Sequence, residues 1–167
     1  MEIERKYTIK KMPDDPGAYT NHRIIQAYLN REPVIRVRRS DNEYYMTYKG
    51  KGLVSREEYN LPLTEEAFEN LLTKADGNVI SKTRYVIPID EPRFRDGYKL
   101  PDGVSLCVEL DVFDEPFAPL VIAEVEFPDG AAADAYIPED WFDADVSEDP
   151  GYHNVNMAYG NPKQAGG

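Results

Sequence analysis

Charged side chains recur two residues apart inside short runs that are otherwise rich in Ile, Val, Tyr and Thr. In an extended strand this spacing puts each pair on one face. The chain gives Glu2, Glu4 and Lys6, then Arg36 with Arg38, Lys49, Arg56 with Glu58, Lys82 with Arg84, Glu109 with Asp111, and Glu124 with Glu126. The runs are bounded by turn-forming clusters such as Pro13-Asp14-Asp15-Pro16-Gly17, Lys49-Gly50-Lys51-Gly52 and Pro101-Asp102-Gly103, as strands usually are. Strands are predicted over 2–10, 22–29, 34–40, 43–49, 53–62, 78–89, 104–113 and 120–127. Thr64 followed by Glu65 and Glu66 caps a helix running to Lys74, with Ala67, Phe68, Leu71 and Leu72 as its apolar stripe. A short helix is expected at 131–135 and another between Ser147 and Tyr159. The fold class expected is α+β and mainly β: an eight-stranded antiparallel closed barrel with a few covering helices. No linker divides it, so residues 1–160 are read as a single domain and 161–167 as a flexible tail.

Composition narrows the function. At 167 residues and 41% hydrophobic the chain can bury a core, and no stretch approaches the roughly 20 apolar residues of a membrane helix. The opening ten residues hold no apolar run, so no signal peptide is expected. A lone cysteine, Cys107, suits a reducing, cytoplasmic setting. The net charge of −12 repels nucleic acid and anionic membranes. It leaves room for an anionic small molecule in an interior basic cavity, and for a homodimer.

Alternation alone does not say which face of a strand points inward. Two details favour the charged face. Glu124 and Glu126 interrupt the apolar run from Leu120 to Phe127, and on most of the strands, such as those of Arg36 with Arg38 and Glu109 with Asp111, acids and bases are segregated rather than interspersed. A cluster of buried carboxylates calls for a cation, and a ring of Arg and Lys calls for an anion. With oxygen donors alone the cation expected is Mg²⁺ or Mn²⁺. The guanidinium forks match phosphate oxygens, and seven cationic side chains in the pattern suit a triphosphate. No phosphate-binding glycine loop is present.

In this order the motifs resemble those of the CYTH superfamily, also called triphosphate tunnel metalloenzymes. The chain opens on Glu2-Ile3-Glu4-Arg5-Lys6, the ExExK motif, and continues through Gln26-Ala27-Tyr28-Leu29, Ile35-Arg36-Val37-Arg38-Arg39 and Thr47-Tyr48-Lys49-Gly50. Then come Arg56-Glu57-Glu58, Lys82-Thr83-Arg84-Tyr85, Glu109-Leu110-Asp111-Val112-Phe113, Ala123-Glu124-Val125-Glu126, Asp145-Val146-Ser147 and Tyr152-His153-Asn154. The resemblance implies a tunnel with the charges inside and metal-dependent hydrolysis of a triphosphate. The QAYL segment and the small size are most similar to the short bacterial branch, which implies inorganic tripolyphosphate as substrate. Two alternatives stay open: hydrolysis or cyclisation of an organic triphosphate (thiamine triphosphate, a nucleoside triphosphate, or a class IV adenylate cyclase-like reaction), and a non-catalytic polyphosphate- or nucleotide-binding module. The resemblance breaks at Asn60, where relatives carry the last acid of RxExE.

On this pattern Glu2, Glu4, Asp111, Glu124 and Glu126 are assigned to metal, and Lys6, Arg36, Arg38, Lys49, Arg56, Lys82 and Arg84 to the phosphates. Glu4, Glu124, Lys6 and Arg38 are the expected catalytic set. Glu58 and Glu109 are expected either to orient an Arg or to bind metal. Tyr28 either reaches the tunnel or packs. Arg5 and Arg39 alternate outward; His22 and His153 read as structural, Cys107 as packing, and Trp141, Phe142 and Met157 as cover over the barrel.

Overall fold

The structure is a computed structural model that describes residues 3–50 and 57–162. Its strands are β1 (Glu4–Ile9), β2 (Thr20–Asn30), β3 (Val34–Ser40), β4 (Glu43–Lys49), β5 (Glu58–Pro62), β6 (Ile80–Ile89), β7 (Arg93–Phe94), β8 (Leu106–Phe113), β9 (Val121–Glu126), β10 (Tyr136–Ile137) and β11 (Phe142–Asp145). Its α-helices are α1 (Glu65–Leu72), α2 (Gly130–Ala135) and α3 (Asn154–Tyr159). The first half of the strand expected at 53–62, and residues 163–167 of the expected tail, lie outside the described residues.

Nine strands hydrogen-bond in the order β11-β1-β9-β8-β6-β2-β3-β4-β5, and β10 pairs with β7 in a separate ribbon. This corrects the eight-stranded closed barrel. Among the described residues no ladder joins β5 to β11, so the sheet is open at both ends. The physical reason lies at β1. Its outer edge, which closure would need for another strand, is taken by β11 through Tyr7↔Asp145 and Ile9↔Phe142. Phe142, expected as cover, is the first residue of this edge strand. Hairpin-length links pair sequence neighbours; they do not dictate what the two outermost strands do, because closure depends on shear and tilt summed around the whole sheet.

Backbone contacts divide the chain into two compact units. One comprises Met1–Asn21, Arg84–Val112 and Val121–Glu148; the other comprises His22–Thr83, Phe113–Leu120 and Asp149–Gly167. In the first, Tyr7, Val108, Leu110, Ala123 and Val125 form the centre of the core and are each at most 2% exposed. Helix α2 closes over this core with Ala132 and Ala133 buried, and Asp129 caps it by accepting from the Ala132 N–H at 2.7 Å. Arg5, expected at the surface, is half-buried: its Nε donates to the Ala133 carbonyl at 2.8 Å and so ties β1 to α2.

In the second unit β2, β3 and β4 form a meander. The two-residue loop after β3 starts at Asp41, whose φ of 52° is one that short polar residues tolerate. Asp41 also fixes that turn by accepting from the Arg23 N–H at 2.8 Å and by pairing with His22 at 2.7 Å. Helix α1 begins as its sequence predicts, with the Thr64 hydroxyl accepting from the Ala67 N–H at 3.1 Å. Phe68, 1% exposed, packs on Ala27, Val37 and the Tyr44 ring. Burying that one side chain stabilises the unit by about 2–3 kcal/mol. The C-terminal helix is shorter than expected: α3 follows a single 3-10 turn at Pro150–Tyr152.

Candidate active site

In both units the charged residues lie on the strand face opposite the apolar core. In the first unit, antiparallel pairing sets Glu4 directly across from Glu126, Lys6 across from Glu124, and Glu124 across from Glu109. Directly paired side chains point the same way, so β1, β9 and β8 present one row of carboxylates. Their neighbours Arg5, Val125, Tyr7, Ala123, Val108 and Leu110 point to the other face. The charged face is buried at its centre, where Asp111 is 0% exposed and Glu124 and Lys6 are 7% each, and opens toward Glu4 and Glu109, which are half-buried, and Glu126, which is exposed.

Two cations sit among these acids. The Arg84 fork donates from Nε and Nη2 to the two oxygens of Asp111 at 2.7 and 2.8 Å, reaches Glu124 at 3.3 Å and pairs through Nη1 with Glu109. The Lys6 ammonium lies 3.6 Å from Glu4 and 3.5 Å from Glu124. Burial would pull the Arg84 guanidinium down, but Asp111, then Glu124 and Glu109, outweigh it and hold it above its ordinary range. Glu109 shows the reverse balance. Burial pushes its carboxyl up, and Glu124, Asp111 and Glu126 push it further, against the one Arg84 charge. Among the described residues Arg84 and Lys6 thus reach Glu4, Glu109, Asp111 and Glu124, and Glu109 is the carboxyl that its neighbours push upward.

Among the described residues no three of His, Cys, Asp and Glu are gathered into a ready-made metal cage; Glu2, one of the assigned ligands, lies outside the described residues. The donor set nonetheless fits a hard divalent cation. It is carboxylate oxygen throughout, it sets Glu4 directly against Glu126, and the carboxyl of Glu109 is under-compensated. A pocket of about 260 Å³ opens beside Glu109 and Glu126 and is lined also by Cys107 and Phe127. Burial, with Glu109 and Glu126, raises the Cys107 thiol, which leaves it an unreactive packing group.

The second unit carries the bases. Its register produces two rows across the sheet: Gln26, Arg38, Tyr45 and Pro62 in one, and Tyr28, Arg36, Thr47 and Asn60 in the other. Arg38 Nε donates to Gln26 Oε1 at 2.7 Å, and Nη1 approaches the Tyr45 hydroxyl at 3.4 Å. Arg36 Nη2 donates to the Thr47 hydroxyl at 3.2 Å, which in turn donates to Asn60 Oδ1 at 2.6 Å. The acid missing at position 60 is thus replaced by a neutral acceptor at the end of a relay. Burial lowers the Arg36 guanidinium and the adjacent Arg38 charge adds to that, against smaller help from Tyr28, whose hydroxyl bonds it. Among the described residues, the hydrogen-bond partners of Arg36 and Arg38 are all neutral. Arg39 lies on the other face, donating from Nε to the Asp41 carbonyl at 2.7 Å and stacking on Tyr44.

The other assigned bases are less alike. Lys82 is fully buried, its ammonium 5.3 Å from the centre of the Phe113 ring. Lys49 ends β4 opposite Glu58. Arg56 lies outside the described residues. Arg84, grouped by sign with the phosphate ligands, stands among the acids. Gln26, Thr47 and Tyr45 carry no charge, so a reading built on charge passed them over; parity was the signal that could have found them, since each shares a row with Arg36 or Arg38.

The CYTH domain pattern matches residues 1–130 of this chain. An inorganic triphosphatase of Nitrosomonas europaea is 37% identical over 164 residues, covering 96% of this chain and 99% of that protein. An inorganic triphosphatase of Acetivibrio thermocellus is 30% identical over 93% of this chain and 92% of its own length. The crystal structure of an inorganic triphosphatase superposes with a TM-score of 0.71 at 34% identity, covering 97% of each chain. With a family pattern over most of its length and relatives aligned nearly end to end, the chain belongs to the CYTH domain family.

Proposed function

We propose that this protein hydrolyses the terminal phosphoanhydride bond of inorganic triphosphate: tripolyphosphate and water give pyrophosphate and phosphate, with help from a divalent cation. One observation carries the reading. Arg36 and Arg38 stand side by side on one strand face, half-buried, and among the described residues their hydrogen-bond partners are all neutral, so their positive charge is left for an anion. The relatives, both named inorganic triphosphatases, support the choice of substrate.

In this reading Arg36, Arg38, Lys49, Arg56 and Lys82 bind phosphate oxygens and hold the chain of phosphates in line for attack. Glu2, Glu4, Asp111, Glu124 and Glu126 hold the cation, Mg²⁺ or Mn²⁺. Such a cation supplies charge neutralisation on the phosphates and a more acidic water. Lys6, between Glu4 and Glu124, fixes both carboxylates and offers a positive charge to the leaving oxygen. Glu109 orients Arg84, whose fork already grips Asp111; contact of Arg84 with phosphate requires it to release Glu109 or Glu124. No helix among the described residues is long and apolar enough to cross a membrane, and a cytoplasmic setting belongs to this proposal.

The test is phosphate release from a panel of tripolyphosphate, pyrophosphate, thiamine triphosphate and ATP with Mg²⁺ or Mn²⁺ and with EDTA. Tripolyphosphate should be turned over fastest, and only with metal. Preference for thiamine triphosphate or ATP would move the substrate to the organic class; no release from any member would end the hydrolase reading.

A further inference from the structure

Gln26 lies at the centre of β2 and is 0% exposed. Its amide cannot be turned either way. Arg38 Nε is a donor only and sits 2.7 Å from one end of the amide, which must therefore be the oxygen. The NH₂ end is forced in the opposite sense, and there Nε2 is buried without a hydrogen-bond partner. One row along the same sheet face, Arg36 Nε is buried and unpartnered too. Two orphaned donors thus belong to adjacent rows of one sheet face, in a patch whose two guanidiniums have only neutral hydrogen-bond partners among the described residues. Buried donors are nearly always satisfied in folded proteins, and leaving them unmade is unfavourable. What both lack is an acceptor, and the charge around them selects a negative one.

We infer that Gln26 is a substrate-binding residue: its Nε2 donates to a phosphate oxygen of the anion held by Arg36 and Arg38, while its Oε1 aims Arg38. This rests on the triphosphatase reading and adds a neutral, direct contact to it. A glutamine serves both ends at once, accepting from the guanidinium without neutralising it and donating to the substrate. Glu at this position would keep the first bond and lose the second. Met would fill the same space and lose both.

The experiment measures tripolyphosphate binding by calorimetry, with thermal melts, for wild type, Gln26→Met, Gln26→Glu, Arg38→Ala and the double variant Gln26→Met with Arg38→Ala. Gln26→Met should weaken binding roughly tenfold to a hundredfold, the range for a hydrogen bond to a charged group. Its melting temperature should change little, because the orphaned Nε2 disappears while Arg38 Nε, half-buried and within reach of water, loses its acceptor. Gln26→Glu should bind more weakly than Gln26→Met. In the Arg38→Ala background Gln26→Met should still weaken binding several-fold, since part of its action does not pass through Arg38. Unchanged affinity in Gln26→Met, or no further loss in the double variant, overturns the direct contact. If Gln26→Met does not fold, Gln26→Glu binding as tightly as wild type overturns it instead. Wild type that binds without hydrolysing breaks the hydrolase reading and leaves Gln26 in place; wild type that does neither ends both.

Discussion

Replacing Arg38 with alanine removes a half-buried guanidinium whose Nε donates to Gln26 at 2.7 Å and whose Nη1 approaches Tyr45 at 3.4 Å. Two effects follow, and they are separable. The first is on the anion. A charge-assisted fork in a site shielded from water stabilises a phosphate by about 2–4 kcal/mol, so kcat/KM should fall by roughly a hundredfold. The second is on the fold. Gln26, already lacking a partner for Nε2, loses its partner at Oε1 as well, which destabilises by about 1–3 kcal/mol. For a chain of this size that lowers Tm by roughly 3–10 °C. Arg38→Lys restores a charge without the planar fork and should fall between wild type and alanine in turnover. Arg39 is the control. It is one residue away, on the opposite face, bonded to the Asp41 carbonyl and stacked on Tyr44. Its loss should remove about 0.5–1 kcal/mol of stability and leave kcat/KM within about twofold. Steady-state kinetics with tripolyphosphate and melts of the three variants read both effects. Refutation would be Arg39→Ala as the more damaging change in turnover, because parity would then have assigned the wrong face of β3 to the substrate.

The acidic cluster predicts metal-dependent stability: excess Mg²⁺ or Mn²⁺ over EDTA should raise Tm by roughly 5–10 °C at a hundredfold over Kd, measured by calorimetry, and no shift at millimolar metal contradicts the carboxylate assignment. Glu4→Gln and Glu126→Gln each relieve the directly opposed pair and remove a ligand charge, so turnover should fall by orders of magnitude while the metal-free Tm holds or rises; near wild-type hydrolysis by either variant would refute the site. Tyr7, 2% exposed, has its phenol pushed up to about 12, by burial first and then by Asp145. An acid with a raised folded-state pKa contributes stability that is present below its unfolded value near 10 and lost as pH rises through 12, so the unfolding free energy of wild type from urea titrations should drop across that window by about 2–3 kcal/mol more than that of Tyr7→Phe; parallel curves would refute it.

What was legible in the chain followed from local rules. Thr64 caps α1 because the side chain that satisfies an N-terminal N–H must sit three residues before it, and that spacing is visible in one dimension. Arg38 and Arg39 part company because successive strand residues face opposite ways. Closure was not legible. Residues 142–145, Phe-Asp-Ala-Asp, are short and half polar, yet they occupy the edge of β1 with an irregular register beside Ile9, and no count of strands foretells which segment will take a free edge. Charge alone did not reveal which side chains would surround Arg84. Arg84 shares its sign with Arg36 and Arg38, and sign put it with them, but β6 lies beside β8 in the sheet order, and there the fork meets Asp111 and Glu109. Gln26 and Thr47 were missed for the complementary reason. They have no charge to notice, and their importance comes from that: a carboxylate in either place would have held the guanidinium equally well and cancelled the charge that an anion needs. In the proposed site the net charge of the partners is what sets Arg36 and Arg38 apart from Arg84, and partners across the sheet are fixed only once the register is known.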